Sequence, residues 1–530
     1  MTLLNKLRPP PRPARRRSLL ALAGLALPVG AASTSGASGA SGGTAQSGAS
    51  ANLAMIGEPQ TLDPMASTSD LVGTIMQHVF ETLYTFDARW RVVPMLAAGM
   101  PIQSGDGRHL AIPLRQGVRF HDGTEMVAAD VIASLRRWMR LAPRGKTVAG
   151  EIVSLHAPNR YTLELVLRGS YAPLLAQLAL PAGFAAIMPA ATGDGPLQRF
   201  IGTGPYRFVE RRADQYVLLR RFDQYSARAE PADGYAGRRQ ALLAELRFIP
   251  VPNPNTRIEG AMSGQFHYAD QLPVEKLVRF DGQPQVRPVV TAPFGFPYAV
   301  LNTSAGILAD QAMRQGVQAA LNMNDIMAAA FGDRRFYTVE ASHYPPGSPF
   351  HSDARASDYN QNNPDKARRL ASQSGYRGGA VRLLVSKQYE FHYRIAMVIG
   401  SQLRKAGFLV DLQVVDWATL VQRRNQSALW DIYITHSVLL PEPVLAPPQL
   451  GSGAPGGWDS AAKRAAMERL NRLADGARRA SEWGRVQALV YTEVPYIKLG
   501  SFNSLAACAA SLRGYVAMPW PFFWNAGVAA

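Results

Sequence analysis

Cysteine is nearly missing from this chain: Cys508 is the only one in 530 residues. One thiol forms no internal disulfide and no cysteine-based zinc site, so stability has to come from the size of the core. Cys508 lies in the apolar run Leu505-Ala-Ala-Cys-Ala-Ala510, where a buried structural thiol is expected. Long apolar runs are as scarce. Leu19 to Val29 falls short of the about 20 residues that span a bilayer, and no second run follows it. The nine histidines show no H-x-H, H-x-x-x-H or Cys/His spacing, so no direct metal site is expected. His343 and His351 come close in sequence but fall in a Pro/Gly-rich loop. No block brings a nucleophile, a base and an orienting group together, which argues against an enzyme. Gly39-Ala-Ser-Gly-Gly43 matches G-x-S-x-G formally but lacks the strand and helix that hold such an elbow. Gly451-Ser-Gly-Ala-Pro-Gly456 matches G-x-G-x-x-G without a strand–helix frame and reads as a flexible loop.

Acidic residues are absent from the first 32 positions, which carry Lys6, Arg8, Arg12, Arg15, Arg16 and Arg17. With the short apolar run and the small residues Gly30 and Ala32, residues 1–32 read as an export signal. Arg16-Arg17-Ser18-Leu19-Leu20 gives it a twin-arginine pattern. Cleavage after Ala51 is the alternative, and no cysteine near either point offers a lipid anchor. Residues 33–51 are Ser/Gly/Ala-rich and uncharged, as expected of a disordered tether. The formal charge is +17, and +11 without the six leader cations. Arginine is scattered, and no basic stripe interleaves with aromatics, so no nucleic-acid partner is expected. About 480 residues remain, suited to two or three domains.

Between these absences, several blocks stand out in order: Glu58-Pro-Gln-Thr-Leu-Asp-Pro64, Val79-Phe-Glu-Thr-Leu-Tyr84, Leu114 to Gly123 ending Phe-His-Asp-Gly, Ala129-Asp-Val131, and Gly202-Thr-Gly-Pro-Tyr-Arg-Phe208. Leu53 to Ile56 reads as a strand, and Thr74 to Leu83 carries a helical apolar stripe. Further on, helix and strand alternate. Asn363-Pro364 opens a helix, Val381 to Val385 is a strand, and Glu390 to Lys405 is a helix stopped by Gly407. Phe408 to Val415 is a strand, Ala461 to Ala474 and Ser481 to Val490 are helices, and Val494 to Leu499 turns the chain back. Such alternation predicts a three-layer α/β lobe.

The order and spacing of these blocks resemble the family 5 extracellular solute-binding proteins of ABC importers, which carry dipeptides, oligopeptides or nickel chelates. The resemblance spans Asn52 to Asn525 and implies an α/β, two-lobe periplasmic-binding-protein fold with an extra subdomain inserted in lobe one. Lobe one would take residues 52–300, lobe two 301–493, and residues 494–530 would return to lobe one. The hinge is expected near Ala299 to Ser304 and Glu493 to Ser501. It further implies a periplasmic monomer without a cofactor, handing a small peptide or peptide-like ligand to an ABC permease and ATPase. By family position the ligand would meet Ser67, Thr68, Ser69, Phe296, Tyr298, His436, Leu439 and Phe502, with core packing the favoured reading of Phe294 and Phe502 taken singly. Two departures stand out. Peptide binders read W-x-x-D-Y-P-D-P in lobe two, where the first Asp pairs with the ligand's amine; here Leu439 and Leu440 occupy the D-Y positions. A buried ammonium without a partner costs several kcal/mol, so a blocked, modified or non-peptide solute, such as an opine-like compound or metal chelate, is expected. Glu442, two to three residues on, could substitute for that Asp, although a solvated loop carboxylate is the favoured reading. Val127 replaces a capping Thr, leaving Thr124 to cap the helix or its end to fray.

Overall fold

The computed structural model describes residues 48–529 apart from 446 and 452. The export signal, the G-x-S-x-G match and most of the tether lie outside the described residues. The first strand is Ser50–Met55, so Ser50 and Ala51 belong to the fold and not to the tether. Ala51 is fully buried and pairs with Leu246, so cleavage after it would cut the strand.

That strand is central in a mixed sheet of twelve strands that runs through the whole molecule. On one side of the middle, the sheet continues through Tyr268–Leu272 on one flank of the first strand, and through Glu245–Pro250, Tyr216–Arg221 and Tyr206–Arg212 on the other. This side is lobe one. On the far side, Ile432–Val438, Val381–Ser386 and Val410–Val415 form lobe two. Val381–Ser386 runs parallel to both of its neighbours and is Val/Leu-rich, as a strand covered on both faces must be. The predicted helix Glu390–Lys405 packs beside it through Ile395, Ile399 and Leu403, all fully buried. Each such side chain contributes about 1.5–3 kcal/mol of burial.

Two passages of chain join the lobes, side by side. The outward strand Val286–Leu301 pairs through its first half with the return strand Ser501–Ala509, and through its second half with Ile432–Val438. The short return strand Tyr496–Lys498 also lies against it. The outward–return register breaks between Thr291 and Gly295. Gly295 sits where a β-carbon would be 2.0 Å from the Ser437 carbonyl oxygen, so the strands approach only because a side chain is lacking. The inserted part of lobe one is a four-stranded antiparallel sheet, Ile102–Gln103, His109–Pro113, Thr162–Leu167 and Ile152–Asn159, contacted by the helix Ala128–Leu141.

Three local expectations change. The stripe from Thr74 to Leu83 is buried as predicted, but the helix is Asp70–Met76. The His78 and Val79 carbonyls accept from Tyr206 and Gly204, so tertiary bonds take the place of further helical turns. At the helix Ala128–Leu141, Thr124 does not cap; its hydroxyl donates to Asp122. Asp130 instead reaches back to the Val127 N–H at 2.9 Å, keeping the half of a capping box that needs no hydroxyl. The helix predicted from Ser481 starts earlier, at Gly476, where Asp475 accepts from the Arg478 N–H.

Candidate functional site

Of the sequence blocks that stand out most, only the first borders the cleft, through Glu58. Several of the others meet in a buried knot of lobe one. Glu81 accepts from the hydroxyls of Thr203 at 2.9 Å and Tyr225 at 2.7 Å, and lies 3.4 Å from Arg239. Gly202 and Gly204 press against the backbone of His78 and Val79, where added β-carbons would come within 2.0 and 2.3 Å of carbonyl oxygens. His121 accepts from the Gly202 N–H and donates to the Gly204 carbonyl. His78 accepts from the Phe523 N–H through Nε2, which leaves the proton on Nδ1, facing the Thr74 and Ile75 carbonyls. Burial drives these imidazoles to the neutral form, His78 down to about 3 and His121 to about 4. The acids of the first block are ties as well: Asp63 makes a buried two-point bridge to Arg137, and Glu58 Oε1 accepts two bonds from Arg211 in a solvent-facing pair. These blocks hold the architecture in place.

Between the lobes opens a cleft of about 1060 Å³. Lobe one lines it with residues around Gly57, Pro252, Arg257 and Leu272, lobe two with Phe331, Tyr389, Phe391, Tyr393 and Trp417, and the return strand with Phe502 to Leu505. Volume, aromatic walls and a few polar groups suit a medium-sized organic solute. The Arg257 guanidinium is consumed by the carbonyls of Val251, Pro252, Asp270 and Gln271. At the rim, Arg394 of lobe two bridges to Glu275 of lobe one at 2.6 Å. Elsewhere between the lobes, Arg472 reaches Glu151 at 2.6 Å and Arg144 donates to the Leu445 carbonyl at 2.9 Å. The lobes are held together across the cleft.

Next to the aromatic wall lies a polar gap. His436 of lobe two packs among Phe294, Tyr389, Phe391 and Phe502, with ring centroids 4.9–6.1 Å away. Its Nδ1 is 3.0 Å from His392 Nε2, and its Nε2 is 3.9 Å from Asp70 Oδ2 of lobe one. Asp70 Oδ1 accepts from the Trp520 indole at 2.8 Å. The carboxyl is surrounded by protein, yet 36% of its side-chain surface is open, as expected of a group facing an internal space. Loss of hydration pushes its pKa up, while Trp520 and the charge of Arg144 pull the other way. Burial holds His436 near 4. Tyr298 and Arg144 lie close enough to Asp70 for their charges to act on one another.

The expected contact residues divide. Phe502 lines the cleft while remaining buried, and its ring meets His436. Tyr298 is buried in the aromatic cluster of Phe296 and Tyr496, near enough to Asp70 and Arg144 to feel their charges. Phe296 is core as well, edge-on to His343 in a buried cluster with Trp430 and Tyr433. Leu439 is half-buried, its N–H donating to the Phe294 carbonyl. Ser67 accepts from the Ser69 N–H in a local turn, and Thr68 packs beside Gly183, so this loop lies off the main cleft. The residue missed was the next one, Asp70. In sequence an acid at the first position of a helix reads as a helix-dipole complement, so nothing marked it. Glu442 is not solvated: it is buried and bridged at two points to Arg479, at 2.8 and 2.6 Å. His343 is buried between Gln487 and Tyr496, and Gly456 is buried with its carbonyl accepting from Thr303, while Gly453 is exposed. Cys508 is buried in the return strand, and burial pushes its thiol up to about 12. Among the described residues, no three His, Cys, Asp or Glu side chains gather as metal ligands, and no helix is long and apolar enough to cross a membrane.

Comparison with known proteins places this geometry. The chain is 24% identical over 485 residues to a probable peptide ABC transporter periplasmic-binding protein of Sinorhizobium fredii, covering 87% of this chain and 90% of that one. It is 25% identical to a glutathione-binding protein of Pectobacterium atrosepticum over 67% of each chain. Among solved structures, it superposes on the periplasmic binding protein AgaA of A. tumefaciens R10 in complex with agropinic acid. The TM-score is 0.78 at 23% identity, over 91% of this chain and 99% of that one. A dipeptide-binding protein of Pseudoalteromonas in complex with Met-Leu gives a TM-score of 0.79 at 19% identity, over 90% and 100%. These likenesses establish the two-lobe fold of periplasmic binding proteins. The model of the bacterial extracellular solute-binding proteins, family 5, matches residues 91–447, more than half of the chain, and the chain belongs to that family.

Proposed function

We propose that this protein captures a peptide or peptide-like solute between its lobes in the periplasm and passes it, unaltered, to the permease and ATPase of an ABC importer. The observation that carries this reading is a cleft of about 1060 Å³ walled by both lobes and spanned by a paired two-strand seam. A solute touching both walls stabilises the closed arrangement by its differential affinity for it, and closure is the signal a permease can read. The wall of Phe331, Tyr389, Phe391, Tyr393 and Trp417 offers contact area without a sequence-specific pattern of donors. The relatives support the class: their names cover peptides and glutathione, and one solved structure holds agropinic acid. An opine-like compound or metal chelate is the second reading, favoured by Leu439 at the position where peptide binders carry their amine-pairing Asp. Calorimetry with di- to tetrapeptides, glutathione and opines, paired with small-angle scattering, tests the reading. Micromolar or tighter binding of one class with a fall in radius of gyration is expected; chemical conversion of the bound solute would refute it.

A further inference from the structure

Lacking the lobe-two aspartate, the chain was expected to decline solutes with a free amine. The cleft geometry reverses that expectation. Resting on the receptor reading above, we infer that Asp70, from lobe one, is the anchor for a protonated amine of the solute, and that His436 of lobe two supplies the second contact to the same group.

Three observations converge on this. First, Asp70 is built as a recognition group: Oδ1 is fixed by the Trp520 indole at 2.8 Å, and Oδ2 has no protein donor within hydrogen-bond distance among the described residues. Trp520 is itself immobilised, its backbone N–H donating to the Tyr235 hydroxyl and its carbonyl accepting from Gln77. Second, the His436 side chain is only 6% exposed, and its Nε2 points at Oδ2 from 3.9 Å, too far for a hydrogen bond and with no other partner among the described residues. A nitrogen seated beside the line joining these two atoms reaches both at about 2.8 Å, the usual length of a charge-assisted bond. Third, the two groups belong to opposite lobes, so a single ammonium between them ties the halves together. For Nε2 to accept from it, His436 must carry its proton on Nδ1 and donate to His392 Nε2, 3.0 Å away, so a relay partner is already in place. Leu439 makes no such contact; its backbone is spent on Phe294.

The test compares paired probes, trialanine and glutathione, each with a free amine and N-acetylated, by calorimetry on the purified protein. At least one free-amine probe is expected to bind ten- to a hundredfold tighter than its acetylated form. Asp70→Asn, which keeps an oxygen for the Trp520 indole, should bring that ratio close to one, and Asp70→Glu should restore part of it. Imidazole ¹⁵N spectra should move His436 to the Nδ1-protonated form only with a free-amine probe. Equal affinities within each pair, or an unchanged ratio in a folded Asp70→Asn protein, overturn the anchor and leave the receptor standing. If no probe binds in either form, the peptide-like receptor reading falls, and the anchor with it.

Discussion

Glu81 and Asp70 lie in the same lobe, eleven positions apart in sequence, yet the knot around one and the gap beside the other spend their polar groups in opposite ways. In the knot, each charge or imidazole is satisfied: Glu81 by two hydroxyls and an arginine, His78 and His121 by backbone on both ring nitrogens. In the gap, Asp70 Oδ2 and His436 Nε2 face each other without touching. Saturated polar groups rigidify a fold, and unsaturated ones await a partner. The two are wired together, because the C-terminal segment that supplies Trp520 to Asp70 also supplies Phe523 to His78.

That contrast can be broken or sharpened experimentally. The largest effect is expected from Gly202→Val, whose β-carbon would meet the Val79 carbonyl at 2.0 Å. A backbone shift there should cost more than about 4–5 kcal/mol, read as loss of folded protein on expression. Acid comes next. Folded pKa values of about 3 for His78 and His343 and about 4 for His121 and His436 lie below the ordinary 6.5. The unfolded chain therefore binds protons that the folded one refuses, and stability falls as pH drops below 6.5, by about 1.4 kcal/mol per pH unit for each histidine. Asp270, raised to about 6 by burial, has the opposite sign and offsets part of this between pH 6 and 4. Urea midpoints that stay flat from pH 6.5 to 5 would contradict the buried neutral imidazoles. Third, Glu81→Gln leaves Arg239 buried without its anion and should cost about 3–5 kcal/mol in urea unfolding, with solute affinity of the folded fraction unchanged. Smallest in stability, Trp417→Ala at the cleft wall should shift unfolding by less than about 1 kcal/mol while weakening solute binding roughly tenfold or more by calorimetry.

What was legible in the sequence follows the same division. Helices such as Glu390–Lys405 and Pro364–Gln373 carry their periodicity, caps and terminal glycines locally, so their limits could be read off the chain. The signature blocks pointed to the family because an interlocked knot admits few residues at each place. They said nothing of the solute, since the knot never meets it. The cleft wall is assembled from single side chains such as Phe331, Tyr389, Trp417 and Phe502, and the gap beside it from Asp70 and His436, spread over more than 400 positions with no local pattern to betray them. Glu442 misled for a related reason: its partner, Arg479, lies 37 residues away, and only packing reveals that the carboxylate is buried.

The seam between the lobes has a final consequence. An antiparallel ladder that slips by one residue turns every side chain to the wrong face, so Val286–Leu301 cannot slide along its neighbours to lengthen or shorten the chamber. Only flexing is left, most readily at the interrupted register between Thr291 and Gly295. Guests of unequal length must then be accommodated by an angle and by rotating side chains, never by translation, which limits how broad a menu one such clamp can serve.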